Sequence, residues 1–119
     1  MHDHRPSTIG LVRHLEHAEV AQAVTEQLRK DLAIDPMRLP VPAIGEQAFE
    51  DLRTTIVGVL EELQRSGPNG LGAALYRVDI PEAHFVRTMS TGGVHALGGE
   101  VVLRALQKVL TRMRYAGRY

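Results

Sequence analysis

Three groups of residues in this chain could do chemistry: the histidines, two glycine-rich turns and a run of basic residues near the C-terminus. Six histidines occur in 119 residues. His14 and His17 stand at i and i+3, a spacing that puts two imidazoles on one face of a helix. Two such rings could share a metal ion if His95, His84 or a second subunit completed the ligand set. The competing reading is that both rings pack at the edge of a core, and it is favoured, because nothing resembles His-Glu-x-x-His. His2 and His4 fall in an N-terminal tail, residues 1–6, read as flexible.

Ser90-Thr91-Gly92-Gly93 is expected to open the last helix, and free N–H groups at a helix start can bind an anion. Arg87 or Arg104, with His95 nearby, could complete such a site. Neither this run nor Gly67-Pro68-Asn69-Gly70-Leu71-Gly72 has the spacing of a phosphate-binding loop, so both read first as turns. Gly98-Gly99, inside the last helix, reads as a close helix crossing or a kink.

The remaining catalytic chemistries find little support. The adjacent pairs Glu50-Asp51 and Glu61-Glu62 fall on an exposed face, where solvated charge is expected, and nothing in the sequence suggests the burial a general acid–base pair needs. There is no nucleophile-elbow motif, and the absence of cysteine excludes disulfides, thiol nucleophiles, thiolate zinc sites and iron–sulfur clusters. The sequence therefore reads as a non-enzyme more than as an enzyme, with no cofactor expected.

The charge distribution says more than its total. Lys+Arg and Asp+Glu are 14 each, yet residues 101–119 carry five bases and no acid. That segment is +5 and the first hundred residues −5. Arg104, Lys108 and Arg112 repeat every four residues and form a ridge that Arg114 extends, a candidate surface for nucleic acid or for an acidic partner. Glu100 could pair with Arg104 one turn on. Intramolecular or intersubunit pairing with acidic helices is the favoured reading of the ridge, and cations near a helix C-terminus also favour its dipole.

These residues need elements to position them, and the periodicity supplies helices. From Ser7 or Thr8 as N-cap to Ile34, the residues Leu11, Leu15, Ala18, Ala21, Val24, Leu28 and Leu32 share one face of a first helix. Asp35-Pro36 should stop it, and residues 35–43 hold three of the six prolines in an extended connector. A second helix is expected from Ile44 to Arg65, with Phe49, Leu52, Ile56, Val59 and Leu63 in a heptad stripe. Residues 71–80 fit either a helix or a strand and are taken as a short helix, since a single strand has nothing to pair with. Asp79-Ile80-Pro81-Glu82 has the pattern of a capping box opening a short helix that ends near Met89. The last helix should run from Val94 to Tyr115, with Gly99, Val102, Leu103, Leu106, Val109, Leu110 and Met113 inward.

The expected fold is all-α, a small single-domain bundle of three long amphipathic helices and two short ones. No apolar run approaches the length of a membrane span and no signal-peptide core is present, which points to a cytoplasmic address. Wide apolar stripes on so small a bundle leave surface for a partner. The first expectation is thus a non-catalytic protein–protein interaction or oligomerisation module, a homodimer joined through Phe49, Leu52, Ile56, Val59 and Leu63, or through the apolar face of the first helix with His14 and His17. The alternatives are a nucleic-acid-binding helical protein using Arg104, Lys108, Arg112 and Arg114, and a metal- or anion-binding one using His14, His17 and His95.

Overall fold

A computed structural model describes residues 8–67 and 69–117. Over these residues the chain is all-α: α1 (Thr8–Val12), a 3-10 turn (Arg13–Glu16), α2 (Ala18–Leu32), α3 (Ala48–Arg65), α4 (Gly70–Arg77) and α5 (Glu82–Tyr115). The N-terminal tail with His2 and His4, and Ser7 as a helix cap, lie outside the described residues. No helix among those described is long and apolar enough to cross a membrane.

The first expected helix is interrupted. His17 adopts an extended conformation (φ −101°, ψ 125°), and its carbonyl accepts the first hydrogen bond of α2 from Ala21 N at 3.0 Å. The interruption has a packing reason. Leu15 and Val20, five residues apart, would point about 140° from each other on a continuous helix, yet both are buried here. Ala18 is exposed instead, and Ala21, Val24, Leu28 and Leu32 keep the expected inward face.

α2 ends at Leu32, before Asp35-Pro36 can act. Ala33 takes the left-handed conformation (φ 54°) and Ile34 N reaches back to Arg29 O at 2.9 Å. That is a Schellman end, and it places Ile34 in the core. Asp35 Oδ1 then accepts Met37 N at 2.8 Å, closing a turn at the head of the connector. Leu39 anchors the connector in the core, and Arg29 Nε donates to its carbonyl at 2.9 Å. α3 starts at Ala48 and not at Ile44, because Gly45 (φ 138°) cannot belong to a helix and Ile44 is exposed.

The segment 71–80 is helical through Arg77 as α4, and the capping box beyond it does not form. Asp79 is the left-handed residue (φ 63°) of a second Schellman end, in which Ile80 N bonds Leu75 O at 3.1 Å and Ile80 enters the core. A residue in that conformation cannot also be an N-cap, which needs an extended backbone. Pro81 (φ −61°, ψ 149°) takes that position, and no side chain caps α5.

α5 is two helical arms separated at Gly93 (φ 67°, ψ −160°): the first runs three residues past Met89 to Gly92, and the second begins at Val94 as expected. Beyond the bend Leu97, Gly98, Gly99, Val101, Val102, Ala105, Leu106, Val109, Leu110 and Met113 are buried, while Leu103 is only partly so. One continuous core joins α2, α3, α4 and α5, with Leu11 and Val12 of α1 packed against it. Gly98 sits where α3 crosses α5: a Cβ there would lie 2.6 Å from Val57 Cγ2. The crossing expected of Gly98-Gly99 is thus made through contact with α3.

Candidate interaction surface and polar junction

The heptad stripe of α3 faces inward. Phe49, Leu52, Ile56 and Val59 are buried in the chain's own core, and Leu63 packs partly against it. Within this fold the stripe contacts other helices of the same chain, so the apolar surface open to a partner must be found elsewhere. Arg53 lies over the Phe49 ring, 5.2 Å from its centroid, and pairs with Glu50.

The histidines do not converge. His14 is half-buried in the 3-10 turn, His17 is exposed at the junction with α2, and His95 is exposed on α5. Among the described residues no three histidine, aspartate or glutamate side chains are grouped to hold a metal ion. His84 has a different role: its Nε2 meets Glu100 Oε1 at 3.0 Å, and an Arg87 guanidinium N–H lies 3.3 Å from its Nδ1. Glu100 therefore pairs backward across the Gly93 bend and not forward with Arg104. At the expected anion site a helix does begin after Gly93. The Ser90 and Thr91 hydroxyls donate to Arg87 O at 3.0 Å, completing the turn before the bend.

The basic ridge is partly drawn into the protein. Lys108 Nζ lies 3.0 Å from Asp31 Oδ2, 3.3 Å from Arg77 O and 3.5 Å from Asp79 Oδ2, so all three of its donors have acceptors. Gln27 Nε2 donates to the other oxygen of Asp31 at 3.0 Å, and Arg77 Nε donates to Asp31 O at 2.9 Å. This junction ties the end of α2 to the end of α4 and the middle of α5. Asp31 is buried to 8% exposure and is fully engaged. Arg104 and Arg112 flank Lys108 with weaker partners, and Arg114 is exposed.

A surface that periodicity did not single out lies on the other side of α4. Leu71, Leu75, Tyr76, Ile80, Pro81 and Phe85 line an open groove of about 640 Å³ between the end of α3, α4 and the start of α5. Leu71, Leu75 and Ile80 form its floor, and Tyr76 stands beside it at 83% exposure. Gly72, one turn before Tyr76 on the same face of α4, is exposed, and a Cβ there would meet nothing within 4 Å. The only sequence signal was the apolar alternation of 74–80, in which Tyr76 fits the strand reading and stands off the helical stripe. No family model matches the chain, and no curated protein or solved structure is significantly similar to it.

Proposed function

We propose that this protein is a non-catalytic association module that forms a homodimer through the outer face of α4 and the groove beside it. The observation that carries the reading is an almost fully exposed aromatic, Tyr76, next to a groove floored by Leu71, Leu75 and Ile80, with Gln64 and Glu82 also in its lining. An exposed tyrosine suits an interface because its ring supplies apolar contact area while its hydroxyl stays hydrogen-bonded at the edge. The occupant is a second copy because the surface carries both parts of a two-fold contact. In an isologous interface each residue meets its counterpart's neighbour reciprocally. With the axis between Gly72 and Tyr76, each tyrosine would lie in the space left by the partner's glycine. The heptad stripe of α3 supports this contact from below by holding the core on which α4 rests.

Two substitutions test the reading without touching the core. Gly72→Glu places a side chain in open space and improves helix propensity, so the monomer stays folded. It should abolish the dimer, as should Tyr76→Glu. A folded Gly72→Glu protein that dimerises with unchanged affinity contradicts the proposal.

A further inference from the structure

Gln27 of α2, Asp79, and Arg104, Gln107, Lys108, Thr111 and Arg112 of α5 line one shallow concavity. Its charges are arranged unevenly. Lys108, in the middle, takes both acids of the neighbourhood, Asp31 and Asp79. The two arginines on either side have no carboxylate partner among the described residues. Arg104 donates to the side-chain amide oxygen of Gln107 at 3.3 Å, and Arg112 donates to that of Gln27 at 3.0 Å.

From this we infer that the concavity is a binding site for a small anion of the phosphate- or carboxylate-bearing class, held between Arg104 and Arg112. A guanidinium bonded to a neutral amide exchanges that partner readily for an anion, because charge-assisted hydrogen bonds are about twice as strong as neutral ones. Arginine also presents a planar fork that matches two oxygens of a phosphate or carboxylate at once. The two arginines are eight residues apart, about 12 Å along the helix, and their long side chains lean over the same concavity. The Thr111 hydroxyl and the side-chain amide N–H groups of Gln107 supply further donors on its wall. Lys108 is not a ligand: its donors are taken, and it offsets one of the two carboxylates, Asp31 and Asp79, so that with Arg104 and Arg112 the group keeps a net charge of +1. That distinguishes the site from a continuous basic ridge, in which all of Arg104, Lys108 and Arg112 would meet the partner.

The test is a thermal-unfolding titration of the full chain with inorganic phosphate, with citrate and with chloride, all at matched ionic strength. Phosphate or citrate is expected to raise the midpoint beyond the chloride control in a saturable way, and the stronger of the two identifies the anion class. Arg104→Gln and Arg112→Gln together should remove the increment. Gln107→Glu, an exposed change that supplies Arg104 with its own carboxylate, should weaken it at least tenfold in apparent Kd with the fold intact. An increment that persists in the double variant, or no increment over chloride, overturns the site. So does tight duplex DNA binding that needs Arg114 and shows no response to phosphate, since that is the property of a ridge.

Discussion

His84 Nε2 lies 3.0 Å from Glu100 Oε1, although the two residues stand sixteen apart on the two helical arms either side of Gly93. On a straight helix they would be separated by about 24 Å along the axis. The bend at Gly93 folds the first arm of α5 back toward the second, and the pair closes the angle. Phe85 and Met89 of the short arm then pack against the core.

Gly93 has φ 67° and ψ −160°, a region open essentially to glycine alone. Gly93→Ala should therefore destabilise the protein by about 1–3 kcal/mol in urea unfolding. An unchanged midpoint would mean the bend is not required.

Gly98 allows α3 and α5 to touch, since an added Cβ would lie 2.6 Å from Val57 Cγ2. Gly98→Ala should cost about 1–3 kcal/mol through overpacking. Combining it with Val57→Ala should recover much of the loss, and a double-mutant cycle measures that coupling.

Both glycines were legible in the sequence as turn or crossing, and the reason is that glycine has few other uses inside a helix. The helical class was legible for a similar reason, because the apolar spacing of Val24, Leu28 and Leu32, or of Leu52, Ile56 and Val59, admits no other element. Helix ends were not legible where tertiary packing chose between two local solutions. Asp79 has the chemistry of an N-cap for α5 and of a left-handed C-terminal residue for α4, and burial of Ile80 selects the second. The break at His17 likewise follows from the need to bury both Leu15 and Val20, which no local signal contains. An apolar stripe says that a face is covered but not by what, so Phe49–Leu63 could stand equally for an interface or for a core.

Asp31 depends on Lys108 for its charge partner in a nearly buried position. Lys108→Met keeps the packing stem of the side chain and removes the ammonium. It should cost about 1–3 kcal/mol, the penalty for leaving a buried polar group short of a partner. Arg114→Met, at an exposed position, should change stability by less than about 0.5 kcal/mol.

Arg38 donates two hydrogen bonds of 2.7 Å to Glu62, fastening the connector to α3. Those bonds hold the Glu62 carboxyl below its ordinary range. Because the folded value is the lower one, the pair's stabilisation is present above the unfolded carboxylate value and fades as pH falls through the folded one. Arg38→Gln should be slightly less stable than the native chain at neutral pH, with the gap closing in acid and shrinking in high salt. A gap that is constant down to strongly acidic pH would show that the ion pair is not its source.

The most direct test of the association surface is the molar mass of the unmodified protein by light scattering across a size-exclusion peak, at low and moderate salt. An apolar contact through Tyr76 predicts a mass near twice the 13.1 kDa of one chain, insensitive to salt. A mass of 13.1 kDa at micromolar to millimolar concentration would contradict it.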